Sequence, residues 1–600
     1  MKSKHILLCL ITIIVICLFS FYNHFKLDNY NSSGQNISGT FSGSYKGENG
    51  NILLDVVIKE NVITHIELLS HTENPGFNKA IVQLTDDIIT SNSLDVDIVS
   101  GATLTSTSFI KAVEDALKNS GINPSDLKDV STITTSKDDY LTNNCDILII
   151  GGGGAGLSAA IEASSTSECK VILLEKMSFA GGNTRMSGGE YAAPGNWVQL
   201  NEGILDDSID TFFNDIYYGG KEKGNPELIK VLAENALTNA FWLRDFVGVK
   251  YKDTQSWYGG HSYSRTLWPE GDGPKYVDTL ISKAVDLGVE FHYNTKANQL
   301  LKDGTGRVIG VRAVRNGKII DYVAQKGVIL TTGGFGSNIE MREEYNTVWP
   351  TLDESIPTTN SPAIVGDGIK MAEELGANIV NMESIQLYPI NNPATGNYYF
   401  LDYARLNSNA ILVNKHGNRF VNEKETRDNL SASILKQPDS RAFEIIDSTV
   451  IKKMNLKETY SSEISKGLAQ KVLTIGTLEE CADFFDIPYD SLIETAKKYN
   501  SYSTTGIDED FGRTSSLEPV DINGEFIMFA GVVSVHHTMG GVDIDKNARV
   551  LDINKIPIPG LYAAGEVTGS IHGGNRLGSL SMPDTVTFGR IAARSAVNMY

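Results

Sequence analysis

Between Asp146 and Glu175 the chain reads as a buried strand, a glycine turn, a helix and a second strand ending in an acid. Asp146-Ile147-Leu148-Ile149-Ile150 is an apolar, β-branched run of the kind found in strands buried on both faces. It passes at once into Gly151-Gly152-Gly153-Gly154-Ala155-Gly156 and then a helical segment, Leu157–Ser165. Gly151, Gly153 and Gly156 stand at G-x-G-x-x-G spacing, which permits a tight turn and close backbone approach to a pyrophosphate. The helix start adds N–H donors and a favourable dipole. Lys170–Leu174 forms the second strand, and Glu175 follows where an acidic side chain accepts ribose hydroxyls. The expectation is an α/β, Rossmann-like domain that holds FAD or NAD.

The placement of the other glycines separates the two cofactors. Of 56 glycines, many cluster in Gly181-Gly182-Asn183-Thr184, Ser187-Gly188-Gly189, Thr332-Gly333-Gly334-Phe335, Gly366-Asp367-Gly368 and Gly560-Leu561-Tyr562-Ala563-Ala564-Gly565-Glu566. Glycine is needed where backbone meets a ligand or turns through positive φ. Several separated segments converging on one ligand suit a long, extended cofactor such as FAD, whereas a nicotinamide site needs only the first.

A chain of 600 residues calls for several domains. With 52 basic against 73 acidic residues the net charge is −21, which repels phosphate backbones and argues against a nucleic-acid partner. Residues 1–25 begin Met1-Lys2-Ser3-Lys4-His5 and continue through the apolar run Ile6–Tyr22, the pattern of an export signal or uncleaved membrane anchor. An anchored protein on the extracytoplasmic face of the cell membrane is expected, or a secreted or periplasmic one if the signal is cleaved. Cys9 and Cys17 fall inside this run, while Cys145, Cys169 and Cys481 show no metal, disulfide or haem spacing. A polar spacer over 28–40 overlaps the start of a small domain at 37–120, with strands expected at Gly39–Lys46, Ile52–Glu60 and Val62–Ser70 and a helix at Ser106–Ser120. Residues 121–142 read as a second linker.

Within the small domain, Asp97-Ile98-Val99-Ser100-Gly101-Ala102-Thr103 crowds hydroxyls and small residues into a loop ahead of the helix. Composition alone allows a plain N-cap at Thr105 or Ser106. The pattern Asp-x-x-Ser-Gly-Ala-Thr also resembles the acceptor sequence of FMN-binding domains. That resemblance implies FMN in phosphoester linkage to Thr103, attached by a flavin transferase.

From Cys145 to Tyr600, roughly three quarters of the chain, the sequence resembles the soluble fumarate reductase family of flavoproteins, urocanate reductases included. The resemblance rests on the blocks above together with Arg419-Phe420-Val421-Asn422-Glu423, Thr426-Arg427-Asp428, His536-His537-Thr538-Met539-Gly540-Gly541 and His572-Gly573-Gly574-Asn575-Arg576-Leu577-Gly578. It implies a Rossmann-like FAD-binding domain at 143–382 and 537–600, an inserted α+β clamp domain at 383–536, and a small α+β FMN-binding domain before them. It also implies FAD contacts at Gly151, Gly153, Ala155, Gly156, Glu175, Asn183, Thr184, Gly188, Gly189, Asp367, Glu566, Ser581 and Met582. The reaction is reduction of the C=C bond of an unsaturated carboxylate, with His537 and Arg576 clamping the carboxylate and Arg427 donating the proton. Electrons are expected to pass from a quinol-linked or flavin-based donor through FMN to FAD, in anaerobic respiration.

The sequence departs from fumarate reductases where they hold a second carboxylate. Tyr388 stands at the histidine position, Asp402 and Tyr403 at the Thr-Glu pair and Leu406 at the arginine, with Arg405 one residue away. Lost donors and an added anion disfavour a second carboxylate, and suit a neutral or cationic group bearing N–H donors. With Gly189 and Tyr403 completing the substrate contacts, urocanate is expected ahead of fumarate or a cinnamate-type acrylate, with Asp402, Tyr403 or Glu423 resupplying Arg427. The competing readings are an electron-transfer flavoprotein with a vestigial site, against which Arg427, His537 and Arg576 stand together, and a steroid or amino-acid oxidase.

Overall fold

The computed structural model describes residues 37–46, 51–70, 78–94, 96, 103–123, 127, 141–315 and 318–599. The chain divides into two compact units, 1–134 and 135–600. The apolar run at 6–22, the loop 97–102 and most of the 121–142 linker lie outside the described residues.

In the first unit Gly39–Lys46, Asn51–Lys59 and Val62–Ser70 pair in order as an antiparallel sheet. Ile52, Leu54, Val56 and Ile58 alternate inward with the period of a strand and meet Phe109, Ala112, Val113 and Ala116 of the helix Thr103–Ser120. A Cβ on Gly43 would sit 2.1 Å from the Ala112 carbonyl oxygen, so that glycine sets how closely helix and sheet approach. Two features differ from the sequence reading. A helix at Asn78–Ser91 joins the core, and the last helix starts at Thr103 instead of Ser106, which makes Thr103 its first residue.

The second unit is built on a mixed sheet of eight strands. Leu141–Ile150 lies between Lys318–Leu330 and Val171–Leu174, all parallel, and Glu290–His292 continues the parallel row. On the far side Lys318–Leu330 pairs antiparallel with Val308–Arg315 along its first half and parallel with Pro557–Ala563 at its end. The glycine turns therefore open at the carboxyl ends of adjacent parallel strands, where open α/β sheets bind ligands. The helix Gly154–Thr166 packs against the C-terminal helix Ser581–Asn598. A Cβ on Gly589 would lie 2.6 Å from the Ala155 carbonyl oxygen.

A five-stranded antiparallel sheet joins Ile385–Asn391, Phe526–Thr538, Arg441–Ile446 and Ile411–Val413, with Leu473–Gly476 also on Phe526–Thr538. Helices Leu478–Phe484 and Tyr489–Thr505 contribute Cys481, Leu492 and Tyr499 to a core of its own. The strand Phe526–Thr538 runs unbroken through residue 536 and carries His536 and His537 at its end. That continuity ties the five-stranded sheet mechanically to the cleft.

Candidate active site

Two adjoining clefts occupy the second unit, of about 910 and 900 Å³. The first runs along the strand ends and is lined by Gly151, Gly153, Ala155, Glu175, Asn183, Thr184, Asp367 and Glu566. Two glycines of its turn leave no room for a side chain, whereas Gly153 faces open space. A Cβ on Gly151 (φ +106°) would come 2.4 Å from the Thr331 carbonyl oxygen, and one on Gly156 2.0 Å from that of Gly151. Gly156 thus packs under the turn without lining the cleft. Glu175 is buried and accepts from the Gly152 and Met177 amides at 2.9 and 2.8 Å. Its burial raises its pKa against the pull of those two N–H groups. Asp367 starts a helix and pairs with Lys176 at 2.6 Å. The hydroxyl of Thr332 is buried without a partner. A side-chain-free turn, a helix start, an acid at the second strand end and an unpaired hydroxyl fit FAD.

Asn183, Thr184, Glu566 and Thr585 line both clefts and form the wall between them. Asn183 is fixed by Asn360 (2.6 Å) and by the Ser361 amide (2.8 Å), and Glu566 accepts from the Thr538 amide at 3.0 Å.

The second cleft gathers Arg427, His536, His537, Arg576, Gly188, Ser581 and Met582 from distant parts of the chain, with Glu190 and Tyr398. Gln386 aligns the two arginines: its amide donates to Asn575 and to the Arg576 carbonyl at 2.8 and 2.7 Å, and its oxygen receives Arg427 at 3.4 Å. The Arg427 guanidinium lies 4.8 Å above the Tyr388 ring. Arg576 is buried with its Nε unpaired, and burial together with Arg427 lowers its pKa to about 9. Burial and the same arginines hold His536 and His537 well below the usual histidine value, so both rings are neutral. Neutral imidazoles and an arginine with an unused donor form a site that a carboxylate completes.

The opposite end is arranged differently from the sequence reading. Asp402 is fully buried and does not line the cleft. It is bound by Arg405 through Nε and Nη2 at 2.6 and 2.7 Å and accepts the Tyr388 hydroxyl at 2.8 Å. Its charge is therefore matched by the neighbouring arginine, and Tyr388 stands between it and the Arg427 side. Glu423, another expected proton source, is engaged by Arg419 and Arg513. Besides Glu566 and Asp584, the cleft is lined by a third acid, Glu190, which sequence reasoning passed over as the residue after Gly188-Gly189. Tyr258 donates to its Oε1 at 3.1 Å, and Tyr403 donates to the same oxygen. A Cβ on Gly188 would lie 2.7 Å from that oxygen and 2.8 Å from the Tyr403 hydroxyl, so glycine at 188 makes room for the pair. Gly189 (φ +71°) turns the chain just beside it without lining the cleft.

This geometry defines a class: an FAD-binding flavoprotein whose second cleft is built to hold a carboxylate. The FAD binding domain family matches residues 146–582, and the FMN-binding domain family matches residues 47–118. The chain is 37% identical to the urocanate reductase of Eggerthella lenta over 93% of its own length and 92% of that protein's. It is 36% identical to a cytochrome-type fumarate reductase of Shewanella frigidimarina, covering 75% of this chain and 76% of the relative. Among solved structures, a flavocytochrome c3 fumarate reductase in its open conformation superposes with a TM-score of 0.65 at 33% identity, over 79% of this chain and 81% of that one. The chain belongs to the fumarate and urocanate reductase family of FAD-dependent flavoproteins and carries an FMN-binding domain at its N-terminal side. It is an oxidoreductase acting on the C=C bond of unsaturated carboxylates.

Proposed function

We propose that the protein reduces urocanate to dihydrourocanate (imidazole propionate). The observation that carries this reading is Glu190. Both tyrosine hydroxyls reach its Oε1, and among the described residues no hydrogen bond is made to its Oε2, so a carboxylate oxygen remains for a donor in the cleft. A substrate with a carboxylate at one end and ring N–H groups at the other matches this polarity, and a second carboxylate opposes it. Tyr398 and His536, stacked at 6.4 Å, supply an aromatic wall for a flat ring.

In this reading neutral His537 and the free Nε of Arg576 hold the carboxylate and stabilise the negative charge that develops on it. FAD, when bound in the first cleft, supplies the hydride for the carbon β to the carboxylate. Arg427 delivers a proton to the α carbon, held in place by Gln386 and the Tyr388 ring. Covalent FMN on Thr103, attachment through residues 6–22 to the extracytoplasmic face of the cell membrane, and a respiratory electron donor complete the proposal. The acceptor pattern at 97–103 and the basic start of the apolar run support these parts.

The test is direct: produce the protein with its flavin transferase, reduce it with an artificial donor, and compare reoxidation by urocanate, fumarate and cinnamate. Urocanate should be fastest. Fastest turnover on fumarate would overturn the assignment of Glu190.

A further inference from the structure

One buried acid beside the cleft has no part in the chemistry above. Glu444, on the strand Arg441–Ile446, has no exposed surface, and neither of its carboxyl oxygens makes a well-formed hydrogen bond, the Arg405 backbone N–H being the one donor that pulls on it. The charged groups acting on it are the Asp402 carboxylate, within hydrogen-bond reach, and Arg405. Two carboxylates cannot bond to each other, but one proton between them allows it. Arg405 already supplies the charge that Asp402 needs. The second carboxyl is therefore the one that keeps a proton.

A chain of hydroxyls leads from this pair toward the substrate. The Tyr388 hydroxyl lies 2.8 Å from Asp402 Oδ2 and 3.0 Å from the Tyr398 hydroxyl, and can donate its one proton to either. Tyr398 lines the substrate cleft together with Arg427 and His536. Burial and neighbouring anions keep both tyrosines protonated, as members of a relay must be before they pass a proton on. Two other acids considered for this role, Glu423 and Glu190, are already engaged. Glu423 is bound to two arginines, and Glu190 faces the bound substrate in the reading above.

We propose that Glu444 is held protonated and is the inner proton store of a relay, Glu444–Asp402–Tyr388–Tyr398, that resupplies the cleft once Arg427 has given its proton to substrate. The balance is one proton per turnover. Tyr398 gives its proton to Arg427 through the water of the cleft and takes one from Tyr388, whose hydroxyl turns from Asp402 to Tyr398; Asp402 takes the Glu444 proton and passes it on to Tyr388. Glu444 is left as a carboxylate beside Arg405 and recovers its proton from solvent before the next cycle. Burial and the Asp402 charge raise its pKa well above the carboxylic range against the pull of Arg405, in keeping with a stored proton. Glu444 acts through other groups and touches no substrate.

The relay rests on the enoate-reductase reading and on the role of Arg427, but not on which enoate is reduced. The test uses the full flavin-loaded protein and whichever enoate the wild type reduces fastest. A wrong substrate assignment then appears in the wild type alone, and a wrong relay in the ratio of variant to wild type. Glu444→Gln keeps a donor for Asp402 and the same shape. Its turnover should fall about tenfold or more, with an unchanged KM, unchanged flavin content and a larger solvent isotope effect. Turnover and isotope effect equal to wild type would overturn the proposal. Tyr398→Phe, which cuts the relay at its half-buried outer end, should show the same loss of turnover, and wild-type turnover there would equally overturn it. Infrared spectra of the wild type should contain a protonated carboxyl band that Glu444→Gln removes; its absence from the wild type would remove the store.

Discussion

Glu190→Gln changes one charge and almost no volume, and isolates the claim that this residue selects the far end of the substrate. Tyr258 and Tyr403 can still donate to the amide oxygen, so the pocket wall should remain in place. A hydrogen bond to a charged acceptor is worth about 1.5–3 kcal/mol and one between neutral groups about 0.5–1.5. Losing the charge should therefore weaken urocanate by roughly 1.5 kcal/mol, or about tenfold in kcat/KM. A dicarboxylate gains instead. Two unit charges 4–6 Å apart repel by roughly 3–4 kcal/mol at an effective dielectric near 20. Solvent in the open cleft reduces this, and a relief of about 1.5 kcal/mol is taken. The two effects together move the ratio of urocanate to fumarate kcat/KM by about 3 kcal/mol, roughly a hundredfold. The assay is steady-state reoxidation of an artificial donor over a concentration series of each enoate, with flavin content measured on every sample. A ratio that moves by less than about threefold in protein retaining its flavins would refute the electrostatic argument.

Arg427→Ala should lower enoate reduction by about two to four orders of magnitude while FAD and FMN stay bound; activity near wild type would reassign the proton donor. Thr103→Ala should yield a tryptic peptide without an FMN mass adduct in protein that still holds FAD, and an adduct elsewhere would relocate the attachment. Gly156→Ala forces a Cβ to within 2.0 Å of the Gly151 carbonyl oxygen. It should cost about 1–3 kcal/mol in chemical denaturation and empty the FAD site. Glu444 also predicts a pH signature. Its pKa is raised in the folded state, so between the unfolded value, about 4.3, and the folded one the native protein holds the extra proton. The stability that this proton brings is lost as pH rises, by about 1.4 kcal/mol per unit from this group. Denaturation midpoints of Glu444→Gln should gain on the wild type across that window, and parallel curves would place the proton elsewhere.

The FAD half of the site was largely legible because its demands are local. A tight turn between a strand and a helix can be met only by glycines at set spacing, and Gly151, Gly156 and Glu175 carry that requirement in thirty consecutive positions or fewer. Arg427, His537 and Arg576 were legible for a different reason: each lies in a dense motif, although nothing in the spacing says that they meet. The far end was misread at Asp402 because sequence assigns a charge without its partner. A residue three positions away, Arg405, lies on the same helical turn and neutralises it. Glu190 gave no signal at all, since an acid after two glycines has many uses and its tyrosines come from positions 258 and 403.

By itself, then, the sequence determined the layered α/β architecture, the place of the dinucleotide turn, the FMN-type acceptor pattern and the family. Periodicity, glycine spacing and contiguous motifs are properties of neighbouring residues and survive without coordinates. Only the tertiary structure decided which charges face the cleft. Whether a carboxylate is paired, protonated or free depends on groups brought together across hundreds of residues. Asp402, Glu190 and Glu444 share a chemistry in sequence, and burial and partners alone make the first an ion pair, open the second to the cleft and bury the third beside the first.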